Sequence, residues 1–117
     1  MITEISFRGE FAIWSYTIGH GRLLLRRTKS SEYPSRVDIL LKDVGWISMP
    51  TAFTDVVIRE ARLGEMEGVL VAAGSPRESG RKMFALSGSG WQGFVLAAVV
   101  TWHEDQGEYN DPSPLLE

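Results

Sequence analysis

Cysteine is absent from the 117 residues. That excludes disulfides, thiolate metal sites and cysteine nucleophiles together, and it fits a reducing compartment. Histidine is scarce, with only His20 and His103 to supply imidazole. Long apolar runs are missing too. The longest, Phe94 to Val100, has seven residues, whereas a membrane-spanning helix needs roughly 20. Met1 to Ile5 carries Glu4 where a secretory leader would have a basic region. The expectation is a cytoplasmic protein with no membrane partner. Positive charge is not in excess either: 12 Lys and Arg stand against 15 Asp and Glu, for a net charge of −3. Nucleic acid is therefore a poor main partner, because phosphate binding wants a clustered basic surface.

What remains is ordinary globular composition, 44% hydrophobic and 23% charged, in a chain of one-domain size. The most apolar stretch, Trp91 to Asp105, is rich in β-branched and aromatic residues, and its part up to Trp102 reads as a central strand. By parity, Trp91, Gly93, Val95, Ala97, Val99 and Thr101 share one face, and Gln92, Phe94, Leu96, Ala98, Val100 and Trp102 the other. Both faces are largely apolar, which predicts a strand covered on both sides or lying in a subunit contact.

Upstream, residues 2–7 read as a short edge strand and Phe11 to Ile18 as a second strand. Gly19-His20-Gly21 makes a tight reversal into Arg22 to Arg27. Arg36 to Lys42 alternates most cleanly, with Val37, Ile39 and Leu41 inward, Arg36, Asp38 and Lys42 toward solvent, and Leu40 as the exception. Ile47 to Met49 follows. Thr54 to Ala61 is ambiguous: Thr54 suits a helix cap and Gly64 a helix end, but Val56-Val57-Ile58 is β-branched throughout and favours a strand. Val69 to Ala73 reads as a short buried strand, Gly74 to Gly80 as a loop, and Lys82 to Leu86 as the hairpin partner of the long strand through Ser87-Gly88-Ser89-Gly90.

About eight strands with frequent turn signals predict a mainly β fold: an antiparallel sandwich or open barrel over residues 1–105, followed by a polar tail at 106–117. The alternative is an α+β fold with a helix near 54–63. The tail's Leu115 and Leu116 are candidates to dock on the body.

Chemistry-bearing residues are few. His103, Glu104 and Asp105, with Glu108 and Asp111 beyond, form the densest acidic group. Adjacent residues of a strand point to opposite faces, so His103 and Asp105 can share a site while Glu104 cannot join them. A metal would need further ligands, and His20 is the only other nitrogen donor of that kind. His20 itself reads as an exposed turn residue. Gly88-Ser89-Gly90 lacks both the nucleophile-elbow spacing and a phosphate loop's Gly-Lys-Ser/Thr ending. Arg22, Arg26, Arg36 and Arg59 suit cross-strand ion pairs with Asp38, Asp55 or Glu60. No catalytic residue, metal ligand set or cofactor follows from these patterns.

Four tryptophans among 117 residues are many, and Trp is enriched at protein interfaces. The leading expectation is a non-enzymatic interaction module, self-associating as a homodimer or binding a protein partner, with Trp91, Phe94, Leu96 and Trp102 as its contact residues. The competing reading is a β-barrel that binds a small ligand, with hydrolase- or isomerase-type chemistry from His20, His103, Glu104 and Asp105. A concave pocket of roughly 300 Å³ or more would favour the second.

Overall fold

The architecture follows from how the strands bend. In a computed structural model, residues 4–62, 64–65 and 80–116 are described. They form eight strands: β1 (Glu4–Thr17), β2 (Arg22–Arg27), β3 (Arg36–Lys42), β4 (Trp46–Ser48), β5 (Ala52–Glu60), β6 (Lys82–Gly88), β7 (Trp91–Ala97) and β8 (Val99–Asp105). All pair antiparallel in one sheet of order β4-β7-β6-β5-β1-β2-β3-β8. The fold is mainly β and not fully closed, compatible with a sandwich or an open barrel. The expected strand at 69–73 and most of the loop at 74–80 lie outside the described residues.

Over the described residues, the expected strands at 2–7 and 11–18 are a single long strand, Glu4–Thr17, paired on both sides rather than at an edge. It bends at two irregularities, one between Phe7 and Glu10 against β5 and one between Ile13 and Ser15 against β2. At the first, Gly9 has φ +111° and its N–H donates to Asp55 Oδ1 at 2.9 Å, while Asp55 itself is left-handed at φ +61°. A Cβ on Gly9 would come within 2.7 Å of Arg27 Cδ. Only glycine meets both demands there. These extra residues bend the strand and let it serve both halves of the sheet.

The ambiguous 54–61 segment is the strand β5; three consecutive β-branched residues outweigh one capping residue. The turn after β1 is a 3-10 turn over Ile18–His20, closed by Gly21 in the left-handed region at φ 57°.

The long central strand needs correction. It breaks at Ala98 into β7 and β8, which lie in distant parts of the sheet. β3 and β4 break beside it: the Ala98 N–H donates to Lys42 O at 2.9 Å and the Gly45 N–H to Leu96 O at 2.8 Å. One extra residue inverts the faces of a strand. Val95 and Ala97 belong to the core before the bend, and Val100 packs on it afterward, opposite Leu41. Both parities are apolar largely because the buried set changes sides part-way.

The core holds Leu23, Leu25, Val37, Ile39 and Leu41 from β2 and β3, closed by Ile5, Phe11, Phe53, Val56, Ile58, Phe84 and Leu86. Contrary to the expectation of solvent-facing side chains, Arg36 and Asp38 are buried, as are Arg26, Leu24 and Leu40 on the same outer face. The segment after β8 crosses that face. Arg26 clasps Asp38 with Nε–Oδ1 at 2.7 Å and Nη2–Oδ2 at 3.1 Å, and donates from Nη1 to Tyr109 O at 2.7 Å. Arg36 makes the equivalent fork to Asp105 at 3.0 Å twice, and reaches the carbonyls of Glu108 and Asp111 at 2.9 and 2.8 Å. Trp14 lies over Arg26 and meets Tyr109 edge-on at 6.4 Å.

Both members of the Arg26–Asp38 pair are 1% exposed. Breaking one side of such a pair costs about 3–5 kcal/mol, whereas replacing both with well-packed apolar groups is often neutral. Asp38→Ala is therefore expected to lower unfolding free energy by about that amount in urea titrations. The Arg26→Met/Asp38→Leu double variant should lose clearly less than Asp38→Ala alone.

Candidate functional site

The residues singled out from sequence are spread over the sheet. Trp91 turns inward: its indole N–H donates to the carbonyls of Thr54 and Asp55, both at 3.1 Å, and its ring lies 4.5 Å from Phe53. Gly88 makes this possible, since a Cβ there would meet Trp91 Nε1 at 2.3 Å. Leu96 is 3% exposed and sits between Trp46 and Met83. Phe94, between Ser48 and Ala85, is half-buried. Trp102 alone of the four remains open, at 44%.

The polar group divides as strand geometry requires. His103 and Asp105 share the outer face, with Nε2 and Oδ2 3.3 Å apart, an ion pair when the imidazole is protonated. Asp105 already accepts both N–H groups of the Arg36 fork and the Gly107 N–H at 2.9 Å. Glu104 faces the other way, accepts the Ser35 hydroxyl and lies 3.8 Å from Arg27. His20 is exposed in the β1–β2 turn, before Arg22. His103 lies opposite Asp38, which pairs with Arg26 near the far end of β2, while His20 precedes the other end of that strand at Arg22. The structure does not bring them together. Among the described residues no group of three or more His, Asp or Glu has the arrangement to hold a metal ion.

The concave feature lies elsewhere. Where β7 turns into β8, Ala98, Val99 and Val100 face the start of β1, the end of β5 and the start of β6 across a cleft of about 650 Å³. Ile5, Ile58 and Phe84 complete its apolar floor, and Glu4, Arg59, Glu60, Arg62 and Lys82 form the rim. The volume falls within the usual range for small-molecule sites, roughly 300–1,000 Å³.

The rim is electrostatically ordered. Arg59 grips Glu65 through two bonds of 2.7 and 2.6 Å, and Glu65 also accepts the Arg62 N–H at 2.8 Å. These donors, the guanidinium first, hold the Glu65 carboxyl down at about 2, and the Glu65 carboxylate in turn raises Arg59 above its ordinary value. With Arg59 neutralised, Glu4 and Glu60 stand against Arg62 and Lys82. The arrangement is an apolar slot with charges of both signs among its lining residues.

Sequence reading missed this cleft. Its lining comes from four strands and one bend, and Arg59 and Glu60 attract attention there only as ordinary ion-pair residues. Comparison with protein-family models, with curated proteins and with solved structures finds no match. Among the described residues, no helix is long and apolar enough to cross a membrane.

The Asp105 contacts set a pH dependence. The Arg36 fork, reinforced by the Gly107 N–H, lowers the Asp105 pKa below the ordinary carboxylate value. The folded form thus releases this proton more readily than the unfolded chain. The stabilisation is complete above the unfolded pKa, near 3.9, and is lost as pH falls through the lower folded value. Asp105→Asn is expected to cost about 1.5–3 kcal/mol at pH 7 and to flatten the acid side of the stability profile, read from urea midpoints between pH 7 and pH 2.

Proposed function

We propose that this protein is a non-enzymatic binding domain that takes an amphipathic small molecule in the cleft between the β7–β8 bend and β1, β5 and β6. The observation that carries the reading is the cleft itself: about 650 Å³, with a floor of Ile5, Ile58, Phe84, Ala98, Val99 and Val100 and charges confined to the rim. An apolar body entering that floor leaves water, which supplies affinity at roughly 25 cal/mol per Å² buried. Polar ends of either sign find a partner in Glu4 and Glu60 or in Arg62 and Lys82.

Catalysis has weaker support. The His103–Asp105 contact is on the outer face, and Asp105 is engaged by Arg36 and Gly107. A second reading, association with another protein chain, is favoured by one observation: Trp102 is exposed on β8, at the end of the strand order.

The test is a titration with anilinonaphthalene sulfonate, an amphipathic fluorescent probe, under native conditions with decanoate as competitor. Saturable one-to-one binding that decanoate displaces is expected. Val100→Glu, which puts a negative charge on the cleft floor against an anionic probe, should weaken binding by roughly tenfold or more, since like charges brought together cost several kcal/mol. Trp14→Ala, on the opposite surface of the sheet, should leave it unchanged. Absence of saturable binding, or equal affinity in Val100→Glu, rejects the proposal.

A further inference from the structure

We infer that the Arg27 guanidinium is the seat of a phosphate-type oxyanion. The inference does not depend on the cleft's taking a ligand. Three arginines are withdrawn from water in this fold, Arg26, Arg27 and Arg36. Arg26 and Arg36 each offer the edge formed by Nε and Nη2 to a carboxylate that accepts from both. On Arg27 the same edge is not filled. Among the described residues nothing accepts from its buried Nε, and the one carboxylate in ion-pair range, Glu104, has Oε2 3.8 Å from Nη2. The other partners are neutral: Nη1 donates to Arg8 O at 2.7 Å, and Nη2 to Ser35 Oγ and O at 3.1 and 3.3 Å. A buried cation is costly until its charge and its remaining donors are both met. Arg27 is short of both.

The group is also held in place. The Tyr33 ring covers the guanidinium at 4.5 Å, and Gly9 lies against its stem, where a Cβ would come within 2.7 Å of Cδ. A donor fixed in this way loses little further freedom on binding. Arg27, Val37 and Glu104 follow one another across β2, β3 and β8, so Glu104 stands at the outer end of the row. Its side chain is 52% exposed, against 8% for Arg27. The Glu104 carboxylate accepts the Ser35 hydroxyl instead of closing on the guanidinium. When it swings into solvent, it releases that hydroxyl beside Nη2. Nε, Nη2 and Ser35 Oγ then offer three donors to one incoming group. A carboxylate has two oxygens to meet them and a phosphate has at least three, and bidentate arginine contacts suit phosphate as well as carboxylate. The chemistry therefore favours a tetrahedral oxyanion, free or as a phosphate monoester.

Because Glu104 competes for the seat, its removal tests the assignment directly. Calorimetric titration of the full chain with inorganic phosphate at pH 7, at ionic strength held constant with chloride, is expected to show a single saturable site. A dissociation constant of about 1 mM or tighter is expected from three charge-assisted bonds less the cost of association. Glu104→Gln should tighten phosphate binding about fivefold, the effect of removing a like charge about 4 Å away in water. Arg27→Lys, which keeps the charge and loses the fork, should weaken it at least about tenfold. Ser35→Ala, which leaves the guanidinium in place, should weaken it about fivefold. Where Arg27→Lys loses the β circular dichroism spectrum, the opposite effects of Glu104→Gln and Ser35→Ala decide. Arg62→Gln, on the rim of the cleft, should change nothing, which separates this site from the cleft. Acetate should bind at least about tenfold more weakly than phosphate, lacking the third oxygen. Phenyl phosphate in parallel tells the two sources apart: tighter binding marks a monoester, equal binding the free ion. No saturable binding of either phosphate overturns the inference. So do a Glu104→Gln affinity that is unchanged or weaker, acetate binding as tight as phosphate, or loss of binding in Arg62→Gln.

Discussion

Two guanidinium groups taken out of water govern how the outer half of this fold is built. Arg26 and Arg36 project from neighbouring strands on the face away from the core, each forked onto a carboxylate directly across the ladder, Asp38 or Asp105. Withdrawing an ion from water costs several kcal/mol, offset only when its remaining donors find acceptors. The residues after β8 provide them, through the carbonyls of Glu108, Tyr109 and Asp111. Gly107 lies against the guanidinium plane, where a Cβ would come within 2.5 Å of Arg36 Cζ. The tail is thus held by its main-chain carbonyls, with the Tyr109 ring against Trp14 and the Glu108 carboxylate on Lys29 beside them. On the face it crosses, Leu24 and Leu40 are buried as completely as the core proper.

The second governing constraint is the bend shared by Lys42–Gly45 and Ala98. It turns two strands into four and moves the apolar set from one parity to the other. Because β6 starts at Lys82, opposite Ala97, the ladder does not continue alongside β8. That break leaves the cleft beside Ala98–Val100. The proposed ligand site is a consequence of one interruption in the hydrogen-bond ladder.

Much of the secondary structure was legible because it depends on local rules. The alternation at 36–42, the glycines around His20, the β-branched run in β5 and the turn before Trp91 each carry their own signal. The outward direction of Arg36 and Asp38 was legible too, but not their burial, since the cover comes from residues some 70 positions later. The division of the 91–105 stretch was hidden for a related reason. Ala98 is unremarkable in sequence, and its backbone bends because Lys42 and Gly45 approach it. The cleft had no sequence signature at all: Ile5, Ile58, Phe84 and Val100 each read as ordinary core or edge residues.

By itself, then, the sequence determined a cysteine-free, mainly β chain, the positions of most turns, and the fact that His103 and Asp105 share a face while Glu104 does not. These follow from the two-residue period of a strand and from the backbone freedom of glycine, which act within a few residues. Tertiary structure decided which strands neighbour one another, where the buried face changes sides, that two arginines are enclosed, and that a cleft opens beside β8. A period of two says which way a side chain points relative to its own strand. What lies in that direction depends on the strand pairing, and pairing is fixed by contacts between residues far apart in the chain.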